Sequence, residues 1–100
     1  MVQNPYIGKK CLVRCDRSGV FFGTVEDIED RMARISKVRN IWYWKGAASL
    51  MQLATDGVKY PKDCKFTVTV DEIIVTDCIQ VIPCTDAAIA NIESVKPWTA

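Results

Sequence analysis

Residues 39–50 read RNIWYWKGAASL, and this stretch connects the predicted sheet to the first predicted helix. The apolar residues 41–44 predict the end of a strand, and the lysine and glycine that follow predict a turn into a short helix. In a strand, Trp42 and Trp44 lie on one face and Tyr43 lies on the other. We therefore expect core and ligand roles to divide between these rings, with Tyr43 facing a ligand because its hydroxyl tolerates a wet pocket.

The same stretch contains most of the candidate binding residues. Flat aromatic rings beside arginine and lysine suit a planar, negatively charged ligand such as a nucleotide. Backbone N–H groups at a strand-to-helix corner can point toward an anion, and a glycine allows a close approach. The alternative is that these large rings fill the core of a small protein. The candidate ligand-binding residues are Arg34, Arg39, Trp42, Tyr43, Trp44, Lys45, Gly46 and Ser49.

Charge is distributed unevenly along the chain, although the formal net charge is only +1. Residues 31–62 contain seven basic residues and one acidic residue, which gives +6, whereas residues 1–30 carry −1 and residues 63–100 carry −4. A local positive block can steer an anion even on a nearly neutral protein. The alternative is a solvated face, or one that pairs with the acidic last third of the same or a neighbouring chain.

An antiparallel hairpin is predicted at the start of the chain. Residues 9–15 alternate between two faces, Asp16–Gly19 has the composition of a type I turn, and Val20–Val25 forms the returning strand. Gly23 within that strand indicates a bend or a close backbone approach. The acidic residues 26–30 predict a second turn.

The remaining pattern predicts further strands and two short helices. A break near Arg39–Asn40 is expected to separate the third strand from residues 41–44. Gly57 is a candidate stop for the first helix, and Thr85 can cap the second. Asp71–Glu72 lies between the predicted strands at 65–70 and 73–76. The predicted strands are residues 31–38, 65–70, 73–76 and 79–82, and the first helix is predicted at 46–55.

These elements predict a mainly antiparallel α+β fold, in which a small curled sheet or barrel carries two short helices. The 100 residues correspond to a single domain, with a lead-in at 1–8 and a tail at 95–100. Trp98 can either hold this tail down or reach a neighbouring molecule. An exposed strand edge and segments of opposite charge predict a homo-oligomer.

Side chains suited to catalysis or metal binding are scarce. The chain has five cysteines without C-x-x-C spacing and no histidine, so we expect free, mostly buried thiols, no metal site and no cofactor. Without histidine, a nucleophilic cysteine lacks its usual base. Asp71 and Glu72 are adjacent and would point to opposite faces of a strand. We therefore expect no catalytic residues and a protein that is not an enzyme.

Two resemblances add to this interpretation. Residues 9–14 (KKCLVR) and 19–25 (GVFFGTV) resemble the strand, tight turn and bent strand of Sm-like and SH3-like small barrels, which often assemble into rings. Residues 6–98 as a whole resemble a small family of bacteriophage and prophage proteins. This second resemblance is carried by GKK (8–10), VRCD (13–16), GVFFGT (19–24), IWYWKGAASL (41–50), CKFTV (64–68), VDEI (70–73) and IPCT (82–85).

The phage resemblance implies a small accessory protein, and such proteins often counter host defences, bind host enzymes or bind nucleic acid. The leading hypothesis is non-enzymatic sequestration of a small anionic, nucleotide-type ligand that signals host defence. The alternatives are a nucleic-acid-binding small barrel, which the near-zero net charge disfavours, and an inhibitor of a host protein. No apolar run reaches the length of a membrane span, and residues 1–5 do not resemble a signal peptide. We therefore expect no membrane association and a location in the host-cell cytoplasm.

Overall fold

The computed structural model describes residues 5–100, and within this range the chain forms six strands and two α-helices. Of the predicted lead-in, residues 1–4 lie outside the described range and residues 5–8 form a turn. The strands are β1 (Lys10–Cys15), β2 (Val20–Glu29), β3 (Met32–Tyr43), β4 (Lys65–Phe66), β5 (Val70–Val75) and β6 (Cys78–Pro83). The helices are α1 (Leu50–Asp56) and α2 (Asp86–Ser94), and a 3₁₀ turn spans Pro61–Asp63.

The strands form an antiparallel sheet in the order β5-β3-β2-β1-β6, and β4 pairs with the last residues of β3. The sheet is curled, because Val75 of one edge strand and Cys78 of the other pack in the same buried cluster. No strand pairing joins β5 to β6 within residues 5–100, so the sheet is not closed into a barrel. The predicted α+β class, with a curled antiparallel sheet and two short helices, is confirmed.

The predicted first hairpin is also confirmed. β1 pairs with β2 in a register that places Leu12 opposite Phe22. Gly23 follows Phe22 at a point where the register between β2 and β3 shifts. A Cβ on Gly23 would lie 2.7 Å from a side-chain methyl of Ile35, so this glycine lets the two strands approach closely.

Two predicted boundaries around β3 are wrong. Residues 26–29 continue β2 instead of turning, because pairing with β3 extends as far as Met32, and the turn lies at Asp30, whose φ is 56°. Residues 39–40 continue β3 without a break. The irregularity of β3 lies at Lys37, whose φ is 47°. The long β2–β3 pairing supplies the hydrogen bonds that hold both segments extended.

The predictions for residues 65–72 are wrong as well. The predicted strand at 65–70 is divided, since β4 contains only two residues and β5 begins at Val70. Asp71–Glu72 lies inside β5 instead of between two strands. The two carboxylates form ion pairs with Lys37 and Arg34 of the neighbouring β3, at 3.0 and 3.3 Å. Cross-strand pairing of this kind lets two adjacent acidic residues remain in a strand.

Two hydrophobic clusters lie on the two sides of the sheet, and β1 is buried on both faces. Leu12 packs in the first cluster with Phe66 and with the helix residues Leu53 and Ile92. Val13 points the other way, into the second cluster inside the curl of the sheet. The helices therefore cover one face, and the curl of the sheet encloses the other.

Both helices begin at side-chain caps. α1 begins at Leu50, four residues later than predicted, because Ser49 is its N-cap, and it ends at Gly57 with a φ of 78°. α2 begins after Thr85, which caps it as predicted. Neither helix within residues 5–100 has the length and apolar composition needed to cross a bilayer.

Candidate ligand-binding site

The C-terminal tail adds an extended segment beside β4. Ile41 of β3 pairs with Phe66 of β4, and Phe66 forms a parallel bridge to Pro97. The Trp98 N–H donates a hydrogen bond to the Phe66 carbonyl at 2.7 Å. This arrangement brings the rings of Trp42 and Trp98 together, with their centroids 6.1 Å apart and their planes inclined by 17°.

The Trp42–Trp98 stack is largely solvent-accessible. Trp42 is 64% exposed and Trp98 is 44% exposed. The Lys65 ammonium lies 5.4 Å from the centroid of the Trp98 ring, within the range of a cation–π interaction. Large exposed rings that stack on each other provide a flat surface on which a further planar group can pack.

Arg39 holds this part of the structure together from inside. It is only 5% exposed. Its Nε donates to the Thr67 carbonyl at 3.0 Å, and its Nη1 donates to the Ile92 and Val95 carbonyls, each at 3.0 Å. Its Nη2 donates to the Phe66 carbonyl at 3.4 Å. Ile92 lies in the last turn of α2 and Val95 is its C-cap, a region where the last carbonyls lack α-helical partners and a cation is favoured.

The prediction that Arg39 is an exposed cation for a ligand is therefore wrong. Its guanidinium lies 5.3 Å from the Phe66 ring centroid, and burial lowers the pKa of Arg39. Because its donors point to carbonyls of its own chain, Arg39 positions the tail and thereby Trp98, and does not reach the surface.

A cleft of about 550 Å³ lies between the 3₁₀ turn and the tail. This volume falls within the range of roughly 300–1,000 Å³ that is usual for small-molecule sites. Lys62 and Lys96 contribute cations to it, and Trp98 contributes an aromatic wall. The lining residues are Pro61, Lys62, Cys64, Ser94, Lys96, Pro97 and Trp98.

A second aromatic surface, Tyr60, adjoins the Pro61 wall of this cleft. Tyr60 is 46% exposed. The ammonium groups of Lys45 and Lys59 lie 5.8 and 6.0 Å from its ring centroid. The Lys59 and Tyr60 N–H groups donate to the Gly46 and Lys45 carbonyls at 3.2 and 3.4 Å. The turn after β3 therefore positions this ring.

Five lysines lie at the cleft and the two aromatic surfaces, and none of them forms an ion pair among residues 5–100. The ion pairs of this range involve Lys10, Arg34 and Lys37 instead. Asp63 is the acidic residue of the intervening 3₁₀ turn. The region therefore carries a concentrated positive charge that an anion can neutralise. The five lysines are Lys45, Lys59, Lys62, Lys65 and Lys96.

At the strand-to-helix corner, two backbone N–H groups, those of Ala48 and Gln52, already bond side chains of the same segment. The Ala48 N–H donates to Gln52 Oε1 at 2.8 Å, and the Ser49 hydroxyl accepts from the Gln52 N–H at 3.2 Å. A Cβ on Gly46 would lie 2.6 Å from the Lys59 backbone nitrogen. Gly46 thus allows close packing of two backbone segments, and Ser49 serves as a helix cap.

The two tryptophans of the central stretch do not share a face. Trp44 is partly buried against the first cluster, whereas Trp42 is exposed. The reason is that β3 ends at Tyr43, and its pairing with β4 is irregular between Ile41 and Tyr43. Tyr43 is 49% exposed, and its proposed contact with a ligand stays a prediction.

Arg34 lies apart from the other candidate residues. It precedes Trp42 by eight residues on β3, which corresponds to as much as about 26 Å at the usual rise of a strand. Its guanidinium pairs with Glu72 at 3.3 Å, beside a small pocket on the outer face of the sheet. Arg34 is therefore not part of the cleft.

The groups with shifted pKa values serve the fold. The Ser18 hydroxyl and the Arg17 and Ser18 N–H groups donate to the Asp77 carboxylate, which lowers the pKa of Asp77 to about 2. Burial raises the pKa of the Cys15 and Cys84 thiols to about 12 and that of the Cys11 thiol to about 11. All five cysteines are free thiols. Among residues 5–100, no three His, Cys, Asp or Glu side chains are grouped as metal ligands.

The site residues that sequence reasoning missed come from distant segments. Tyr60 and Lys62 lie in a loop, Lys65 lies in β4, and Lys96 lies in the tail. The predicted positive block of residues 31–62 includes Lys62, but no sequence signal singled out Tyr60. Trp98 was considered either a tail anchor or a contact for a neighbour, and its backbone does anchor the tail while its ring stays exposed.

Residues 8–92 match the model of a protein family described as "Domain of unknown function (DUF6948)". The matched range contains all six strands and ends before the tail that carries Lys96 and Trp98. No curated protein and no solved structure matches the chain.

Proposed function

The chain belongs to the DUF6948 family, whose description names no activity, and we propose that it binds a small anionic, nucleotide-type ligand without transforming it. One observation carries the proposal: the exposed Trp42–Trp98 stack borders a cleft whose lysines form no ion pair among the described residues. A nucleotide combines the two properties that such a site recognises, a flat base and a phosphate group.

The two parts of a nucleotide would occupy two parts of the site. The base packs on the exposed face of Trp42, which extends the existing stack. The phosphate lies in the cleft between Lys62 and Lys96, and Lys65 stays close to the aromatic surface. Lysine ammonium groups interact with phosphate as flexible point charges, so the site needs no rigid geometry for the anion.

The proposed biological role is sequestration of a nucleotide-type signal of host defence in the host-cell cytoplasm. Its support is the resemblance of residues 6–98 to phage and prophage proteins. Binding without turnover is sufficient for this role, because a sequestered signal no longer reaches its receptor. The expected mode of action is therefore stoichiometric rather than catalytic.

Tryptophan fluorescence titration with ATP tests the binding proposal. Stacking on Trp42 should quench the emission. The variants Lys62→Ala and Lys96→Ala should each weaken binding by about tenfold, the lower range for a hydrogen bond to a charged group. Arg31→Ala is a matched control, because Arg31 is an exposed cation that directly precedes the start of β3, whereas Trp42 lies near the end of this strand.

Mass spectrometry of small molecules released by heating complements the titration. Protein purified from cells that produce a defence signal should release a nucleotide, and the double variant K62A/K96A should release less. The proposal is contradicted if ATP causes no quenching and heated protein releases no nucleotide.

A second candidate function, binding of single-stranded nucleic acid, is favoured by the spread of five lysines beside two aromatic surfaces. Its distinguishing property is salt dependence. A strand that contacts all five lysines should give a slope of log K against log salt of about −3.5, whereas a small nucleotide, which has no comparable counterion atmosphere, should give a much shallower slope. A titration with dT12 between 50 and 300 mM salt separates the two.

We also propose that the protein is a homo-oligomer. β5 and β6 are the two edges of the sheet, and they carry exposed apolar residues, among them Val70, Ile74 and Ile79. Unpaired edges with apolar side chains favour pairing with another strand. Light scattering at micromolar concentration should therefore give a multiple of 11.2 kDa, and a single-chain mass would contradict the proposal.

A further inference from the structure

We propose that the ligand carries two bases joined through phosphate, which makes it a dinucleotide, either linear or cyclic. This inference rests on the proposed function and specifies its ligand class. Its basis is that the site has two separate aromatic surfaces, with cations between and beside them. A mononucleotide has a single base and would need only one aromatic surface.

The first surface is the Trp42–Trp98 stack, with the Lys65 ammonium 5.4 Å from the Trp98 ring. The second is the exposed ring of Tyr60, with Lys45 and Lys59 about equally close to its centroid. Each surface thus pairs a π-face with positive charge. This combination suits a base with an adjacent phosphate.

The cleft is lined by Trp98 of the first surface and by Pro61, the residue that follows Tyr60 of the second. Pro61 and Lys62 follow Tyr60 directly in the chain and form one wall, and Lys96 belongs to the wall that ends at Trp98. A phosphate between these walls would have one base on each side. Pro61 has a restricted backbone torsion, so the wall next to Tyr60 is stiff.

The positive surface is also limited in extent, which favours a short ligand over a long strand. On α2, Glu93 neutralises Lys10. On the outer sheet, Asp71 and Glu72 neutralise the nearest cations of β3. A polynucleotide that continued from the cleft over α2 or over this part of the sheet would meet these paired or acidic groups.

Fluorescence titrations with AMP, linear pApA, cyclic di-AMP and dA12 test the inference. A second stacked base should make pApA or cyclic di-AMP bind about 5- to 100-fold more tightly than AMP. The preference between pApA and cyclic di-AMP identifies the linear or the cyclic form. Affinity for dA12 should not exceed that of the better dinucleotide.

Two aromatic variants locate the second base. Tyr60→Leu should reduce the affinity for the dinucleotide to that for AMP and leave AMP binding unchanged, whereas Trp42→Leu should weaken both. Tyr6→Leu is the control, because Tyr6 is a tyrosine that packs against the second cluster, away from both aromatic surfaces. Thermal melts establish that each variant is folded.

Each alternative result has a defined meaning. Equal affinity for AMP and both dinucleotides overturns the two-base inference but leaves nucleotide binding intact. An affinity that continues to rise from pApA to dA12, with a steep salt slope, overturns it in favour of a strand. Loss of the dinucleotide advantage in Tyr6→Leu but not in Tyr60→Leu also overturns it. Absence of binding by every probe contradicts the proposed function itself.

Discussion

Replacement of Arg39 by alanine should destabilise the fold severely, although Arg39 lies in the stretch that sequence analysis assigned to a ligand. The substitution removes four hydrogen bonds to backbone carbonyls. At about 1.5–3 kcal/mol for each bond to a charged group, their simple sum would be about 6–12 kcal/mol. The cost of burying the guanidinium opposes this sum, as its lowered pKa indicates. Each buried carbonyl left without a donor costs about 1–3 kcal/mol, and because the guanidinium no longer has to be buried we expect a net loss of about 3–5 kcal/mol.

A loss of this size corresponds to a fall in Tm of about 12–40 °C for a domain of 100 residues. Circular dichroism melts and urea titrations measure it. Native-state hydrogen exchange should show the first loss of protection at Val95 and Trp98, because the end of α2 and the tail lose their common anchor. Trp98 fluorescence should shift toward that of a solvated indole.

Two variants separate the causes. Arg39→Met keeps an apolar stem near Phe66 but lacks the donors, so it should remain strongly destabilised. Arg34→Ala breaks a partly exposed ion pair and should cost less than about 1 kcal/mol. If Arg39→Ala lowers Tm by less than about 4 °C and leaves the tail protected from hydrogen exchange, the hydrogen bonds of Arg39 do not stabilise the fold and this reasoning is refuted.

Three further predictions concern backbone packing, the central rings and the thiols. Gly46→Ala should lower the free energy of unfolding in urea by more than about 2 kcal/mol, because Gly46 has a φ of 97° and an added Cβ would meet the Lys59–Tyr60 backbone. The control Gly8→Ala, at a glycine with a φ of 83° and open space around it, should lower it by only about 1 kcal/mol, and equal losses would contradict the packing argument. Trp44→Ala should lower the free energy of unfolding by about 2–4 kcal/mol and Trp42→Ala by less than about 1.5 kcal/mol, because only the Trp44 ring packs against the core. The reverse order in denaturant titrations would refute this division. Burial raises the pKa of the Cys15 thiol from 9.0 to about 12, so the stability that this thiol contributes is fully present below pH 9 and is lost as the pH rises toward 12. The Tm of a Cys15→Ala variant should therefore decline less between pH 9 and 12 than that of the unchanged protein, and an equal decline would exclude the thiol as its cause.

Local sequence patterns were sufficient for several elements of the fold. The alternation of residues 9–15 and the turn at Asp16–Gly19 predicted the first hairpin, because these signals come from residues adjacent in the chain. The cap at Thr85 and the stop at Gly57 were likewise predicted from local chemistry. The boundaries that failed depend on a partner strand. Residues 26–29 have the composition of a turn, and only pairing with β3 keeps them extended.

The candidate site shows the same division. The sequence by itself determined that the chain has no histidine, that residues 31–62 are strongly basic, and that aromatic rings are concentrated near residue 42. Only the tertiary structure decided which of these groups reach solvent. Arg39 is buried because the end of α2 supplies carbonyls from more than 50 residues away, and Trp98 meets Trp42 because the tail pairs with β4. Burial and stacking are set by contacts between segments distant in sequence, which no local periodicity encodes.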